Sequence, residues 1–129
     1  MQSSDILELS KTLFTSTKVN DQVYINNVIG RTYYSCFHKI SEIAKNKYSW
    51  SESENIAGGS HEKMISRLDN HDLTEPDKIK AIAKIKNDVI TLKKKRVNAD
   101  YFLNVVYNKL DANYCIKTAE NIHKAFDLV

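Results

Sequence analysis

Apolar side chains recur every three or four residues through residues 21–48, and this spacing constrains the fold more than any other feature of the sequence. Because an α-helix turns by about 100° per residue, the spacing places these side chains along one side of a single long helix. The stripe consists of Ile25, Ile29, Tyr33, Cys36, Phe37, Ile40 and Ala44. It is long enough to pack a protein core.

Other segments repeat the same period, and none has the alternation of a convincing strand. Residues that commonly begin helices precede these segments. The predicted starts are Ser3 or Ser4, Asn20 or Asp21, Ser60, Thr74 to Pro76, and Asp111 or Asn113. Gly30 interrupts the second helix, which predicts close approach of another helix there. We therefore predict an all-α, up-and-down bundle of four to five helices, forming a single domain over residues 1–129.

Composition narrows the classes of function only a little. The net charge is +3, which is mildly basic and compatible with a nucleic-acid partner. Cys36 and Cys115 fall on apolar helix positions and are expected to be reduced core residues. No spacing of Cys and His resembles a zinc site, so we predict no metal and no cofactor. No signal peptide or membrane-spanning run is visible, so we expect a cytoplasmic protein that does not enter a membrane.

A polar stripe runs along the back of the second helix, opposite the apolar one. It contains Asn27, Arg31, Tyr34 and His38, with Arg31 and His38 two helical turns apart. A guanidinium, a phenol and an imidazole in one line can bind a phosphate or transfer a proton. The alternative interpretation is the ordinary solvated face of a bundle helix.

The fourth helix ends in a second polar group. Its core stripe includes Val89 and Leu92, and the next position on that face is Arg96. Because burying an unpaired charge is costly, Arg96 must be paired or must face a cleft. Asp100, one turn further on, can reach Arg96, and Tyr101 follows it directly. The alternative interpretation is a buried ion pair that fixes the last turn of the helix.

A basic run precedes Arg96 and would attract a phosphate backbone. It consists of Lys93, Lys94 and Lys95. A solvated helix end that complements the helix dipole is an equally good interpretation. The other histidines are His61, His71 and His123, and we interpret all of them as surface residues without identifiable partners.

Three motifs together resemble the HEPN family (higher eukaryote and prokaryote nucleotide-binding). They are Arg31-x-Tyr33-Tyr34-x-x-Phe37-His38, then Ser60-His61, then Arg96-x-x-x-Asp100-Tyr101. The resemblance covers roughly residues 5 to 127. It implies a small up-and-down helical bundle, usually a homodimer, from a prokaryotic toxin–antitoxin, phage-defence or CRISPR-linked system. Many members are metal-independent endoribonucleases, whereas others are non-catalytic or pair with a small nucleotidyltransferase.

The sequence departs from the pattern of the catalytic members, which carry Arg, a polar residue and then His a few residues on. Here Arg96 is followed by Val97, and no His lies within reach. The pair Arg31 and His38 fits the pattern literally, but on the second helix. Either the active pair lies there, or the chain belongs to a branch without nuclease activity.

The resemblance implies definite roles if the chain is a nuclease. His38 would take or give a proton, Arg31 and Arg96 would stabilise charge on the phosphate, and Tyr34 or Tyr101 would stack on a base. Since one His per chain cannot be base and acid at once, two copies would join at a shared cleft.

In the alternative, the chain is a bundle without catalysis that binds a nucleotide or a partner protein such as a nucleotidyltransferase. The polar residues would then form a network between the second and fourth helices. Its members would be Asn27, Arg31, His38, Arg96 and Asp100.

Overall fold

The structure, a computed structural model, describes residues 2–16, 21–102 and 104–129, and in this part of the chain the regular structure is entirely helical. The helices are α1 (Ser3–Ser16), α2 (Gln22–Ile40), α3 (Ser60–Ser66), α4 (Pro76–Tyr101) and α5 (Lys109–Asp127). A π-helical segment, Ser41–Lys47, continues α2, and a 3-10 turn, Arg67–Asn70, follows α3. The predicted all-α class is therefore confirmed. Among the described helices, none combines the length and the apolar character needed to span a bilayer.

Contacts between helix ends define the direction of each helix. They join Ser3 to Glu42, Asn26 to Ala99, and Lys39 to Asp127. Hence α1 and α4 run antiparallel to α2, and α5 runs parallel to it. The four long helices therefore follow one another up, down, up and down, as predicted, and the short α3 crosses between α2 and α4.

The predicted stripe of α2 forms the centre of the core, because α2 packs against α1, α3, α4 and α5. Every member of that stripe except Phe37, which is partly buried, is at most 1% exposed. The residues that α4 and α5 add to the core are Ile82, Ile85, Val89, Leu92, Cys115, Ala119, Ile122 and Phe126. Both cysteines are free and buried, as expected. Burial of these side chains is the main force that holds the bundle together.

Several local predictions differ from the structure. Asp21 caps α2 through its side chain, whereas Asn20 lies outside the described residues. The cap position of α3 is Gly59 rather than Ser60, and α4 begins after Glu75 without a side-chain cap bond. Helix α5 begins earlier than predicted, at Lys109. Asn108 caps it, because its side chain accepts a hydrogen bond from the backbone N–H of Asp111.

The close helix contact predicted at Gly30 is wrong. A side-chain carbon added there would meet no atom of another described helix within 4 Å. The helix therefore carries the conformational cost of this glycine without a packing reason among the described residues.

His123 lies in the core, so the surface position predicted for it is wrong. The residue is 9% exposed, and its Nε2 atom has no hydrogen-bond partner among the described residues. Burial and the positive charge of Lys39 lower the pKa of His123. Glu42, Asp127 and a backbone hydrogen bond at Ser35 act in the opposite direction without overcoming these effects.

This lowered pKa predicts a loss of stability in mild acid. The unfolded imidazole gains a proton below about pH 6.5, whereas the folded one gains it only at lower pH. The free energy of unfolding should therefore decrease from about pH 6.5 downward. Urea unfolding should show a smaller decrease between about pH 7.5 and about pH 5.5 for His123→Gln than for the wild type. Equal decreases in the two proteins would contradict this assignment.

Candidate functional site

Arg96 lies near the end of α4 and joins this helix to α2. Its Nε is 2.9 Å from Oδ2 of Asp100, and its Nη2 donates a hydrogen bond of 3.0 Å to the hydroxyl of Tyr34. Since the Nε hydrogen has no hydrogen-bond partner, the contact with Asp100 is an ion pair. The predicted Arg96–Asp100 pairing is therefore confirmed. No hydrogen bond to a described residue uses Nη1, so its N–H groups are available to an anion.

Four rings pack together beside Arg96, and we call them the ring cluster: Tyr33, Tyr34 and Phe37 of α2, and His61 of α3. The centre of the His61 ring is 4.5 Å from that of Phe37, 5.6 Å from Tyr33 and 5.9 Å from Tyr34. The Arg96 guanidinium lies 5.2 Å from the centre of the Tyr34 ring and 6.0 Å from that of Tyr33. Contacts of this kind place a cation against aromatic faces and fix its position.

Arg31 and His38 lie on α2, one turn before and one turn after Tyr34, and both are exposed. Arg31 has no ion pair or hydrogen bond with a described side chain, and His38 meets the Phe37 ring edge-on at 5.8 Å. Among the described residues, no hydrogen bond joins Arg31 or His38 to Arg96. Arg31, Tyr34 and His38 thus share one face of α2, and Arg96 lies beside the middle residue. We call these four residues the Tyr34 surface.

The predicted basic run does not form a single patch, because its members point in different directions around α4. Lys93 forms an ion pair with Glu62 of α3. Lys95 extends the other way, with its ammonium 5.3 Å from the centre of the Tyr114 ring of α5. Lys94 is exposed between them. Only Lys93 therefore borders the ring cluster, and it already has a carboxylate partner.

Two other residues of the predicted site form no hydrogen bond with Arg96 in the described part of the chain. Tyr101, the last residue of α4, is 69% exposed, and its side chain forms no hydrogen bond with a described residue. Asn27 donates a hydrogen bond of 3.0 Å to the Val23 carbonyl within α2. Among the predicted network residues, the structure thus joins only Asp100 to Arg96.

His61 belongs to the ring cluster, although sequence reasoning did not assign it to the site. The prediction that it is a surface residue without partners is wrong. Its Nδ1 is 2.7 Å from the hydroxyl of Tyr33, which is fully buried. Burial lowers the pKa of His61, and the charges of Arg96 and Lys93 lower it further. His61 is therefore a neutral imidazole at pH 7, held by one nitrogen.

One signal in the sequence indicates that Tyr33 has a polar partner, although it does not identify the partner. A buried Tyr hydroxyl needs a polar partner. One turn from Tyr33 on the same face of α2 stand Ile29 and Phe37, which are apolar. The partner had to come from another helix, and only the folded chain identifies it.

The site as a whole combines positive charge with groups able to transfer protons. Arg96 and Arg31 supply fixed charge, and His38 and His61 supply imidazoles. The described residues contain no group of three or more His, Cys, Asp and Glu side chains that could hold a metal ion. The arrangement is suited to binding a phosphate group and moving a proton beside it.

Comparison with known proteins adds no family to this description. Neither a protein-family model, nor a curated protein, nor a solved structure matches the chain.

Proposed function

We propose that this chain is a HEPN-like protein that binds RNA at the Tyr34 surface and cleaves it without a metal ion. The observation that carries the proposal is the position of the Arg96 guanidinium beside the exposed ring of Tyr34. A phosphate bound by Arg96 would lie next to a ring on which a base can stack. Arg31 and His38 flank the same ring along α2.

The chemistry follows from the residue types. Arg96 and Arg31 bind the phosphate and stabilise the charge that grows on its oxygens as the phosphodiester reacts. His38 exchanges a proton with the ribose 2′-oxygen or with the leaving 5′-oxygen. Tyr34 stacks on a base, and its hydroxyl keeps Arg96 in place.

The biological setting follows from the resemblance alone. The proposal places the chain in the cytoplasm, as part of a prokaryotic toxin–antitoxin or phage-defence system. Its partners would be RNA, a second copy of the chain, and a nucleotidyltransferase antitoxin or another defence protein.

RNA cleavage in EDTA tests the proposal. The wild type should cleave a single-stranded RNA, and His38→Ala should cleave it about 10²- to 10⁴-fold more slowly. A DNA of the same sequence should stay intact because it lacks the 2′-hydroxyl. His71→Ala is the matched control, since His71 is a half-buried loop residue outside the site. Equal cleavage by the wild type and His38→Ala, or none by the wild type, would refute the proposal.

The contacts of Arg96 also support a second candidate, a bundle without catalysis that binds a nucleotide or a partner protein. Asp100 and Tyr34 already occupy two of the nitrogens of Arg96, and Asn26 bonds to the Ala99 carbonyl nearby. These contacts tie α2 to α4 in the absence of any ligand. In this case, loss of Arg96 would lower stability and leave no RNA activity to change.

A further inference from the structure

His61 occupies a position in the ring cluster that the proposed function does not use. It stands in the first turn of α3 and packs flat against Tyr33 and close to Phe37. The residue is half-buried, so the imidazole is confined among aromatic rings and still meets solvent. Such confinement orients a group precisely enough to act on a bound substrate.

The hydrogen bond between Tyr33 and His61 leaves one ring nitrogen of His61 without a partner among the described residues. Tyr33 contacts Nδ1, and no described residue bonds to Nε2. Burial raises the pKa of Tyr33, so its hydroxyl stays protonated at neutral pH. When Nδ1 carries the imidazole proton and donates it to the Tyr33 oxygen, Nε2 keeps a free electron pair. A neutral imidazole in this state is a general base.

His61 shares its neighbours with both other groups of the site. The Tyr34 ring contacts both His61 and the Arg96 guanidinium. The Phe37 ring contacts both His61 and His38. The two imidazole centres are therefore no further apart than the sum of their distances to the centre of the Phe37 ring, and the His61 ring also contacts the two tyrosine rings that border Arg96.

We propose that His61 is the second proton-transfer residue of the site, an inference that rests on the proposed RNA cleavage. His61 Nε2 takes the proton from the ribose 2′-hydroxyl, and the 2′-oxygen forms a bond to phosphorus. The bond from phosphorus to the 5′-oxygen breaks, and His38 in its protonated form gives a proton to that oxygen and becomes neutral. The products are a 2′,3′-cyclic phosphate and a free 5′-hydroxyl, so atoms and charge balance without a further reactant.

This assignment changes the argument for two copies of the chain. The need for a base and an acid at one phosphate no longer requires a second subunit, since one chain supplies both imidazoles. A dimer can still form, but each copy would hold a complete site.

The test compares His61 variants with the wild type in EDTA. His61→Gln cannot transfer the proton in this way, and His61→Phe keeps a ring in the cluster, so at least one variant should retain the fold. Each folded variant should cleave RNA about 10²- to 10⁴-fold more slowly. The wild-type rate should fall in acid as the base becomes protonated, and this fall should be absent from the variants. His71→Gln should behave as the wild type.

The outcomes separate the two proposals. An inactive wild type would refute the proposed function and this inference together. An active wild type, an inactive His38→Ala and fully active folded His61 variants would refute only the role of His61. A site within one chain is tested by mixing His38→Ala with His61→Gln. Cleavage should stay absent, and its recovery would show that the imidazoles come from different subunits.

Discussion

Replacing Arg96 with alanine is expected to slow RNA cleavage by about 10²- to 10³-fold, the usual effect of removing one donor that stabilises a developing oxyanion. The variant loses the guanidinium that bonds to the Tyr34 hydroxyl and lies against the Tyr34 ring. Arg96→Lys keeps the charge but cannot reach Tyr34 and Asp100 together with a planar fork, so we expect an intermediate rate. Cleavage in EDTA and RNA affinity measure both effects.

Arg67 offers a matched control for this experiment. The side chains of Arg67 and Arg96 are each 15% exposed, and each pairs with a carboxylate. Arg67 also donates to the Trp50 carbonyl, which places it at the loop after the π-helical segment and outside the site. Arg67→Ala should lower stability and leave the cleavage rate of the folded protein unchanged. A folded Arg96→Ala that cleaves at the wild-type rate would show that Arg96 is a structural residue only.

Replacing Phe126 with alanine is expected to cost about 3–5 kcal/mol of stability, because it leaves a cavity in a packed core. Phe126 is 1% exposed and lies on the buried face of α5. Small domains are stable by only about 5–15 kcal/mol, so the variant should lose a large part of its folding free energy. Urea unfolding followed by circular dichroism measures the change.

Leu128 supplies the control at nearly the same place in the chain. Its residue is 74% exposed. Leu128→Ala should change the free energy of unfolding by no more than about 0.5 kcal/mol. Similar losses for the two variants would mean that α5 does not pack as described.

The sequence predicted the fold because the fold depends on local periodicity. The spacing of Ile25, Ile29 and Ile40 is enough to identify the buried face of α2, and all three are buried. Helix ends were less predictable. The start of α5 depends on a hydrogen-bonded cap at Asn108, and Asn and Asp occur at several nearby positions that could serve as well.

The candidate site was only partly predictable, since its contacts join residues distant in sequence. The Arg96–Asp100 pair is one helical turn apart and could be read directly. The contacts of His61 with Tyr33 and of Arg96 with Tyr34 cross between helices. No spacing rule predicts which residues of two packed helices meet. His123 was misplaced for the same reason, because its burial depends on α2 as well as on α5.

The π-helical segment lies where the buried face of an unbroken α2 would turn away from the core. Buried residues at the end of α2 follow steps of four, Cys36, Ile40 and Ala44, and each such step drifts by about 40° in an α-helix. The wider π turn absorbs an additional residue. Deleting one residue from 41–47 would remove this additional residue and let the segment tighten to an α-helix, so Tyr48 would keep roughly its direction toward the Val129 carbonyl to which it donates. The end of this helix should therefore tolerate the loss of one residue, whereas the same loss within α2 would turn the core residues that follow it by about 100° and disrupt their packing.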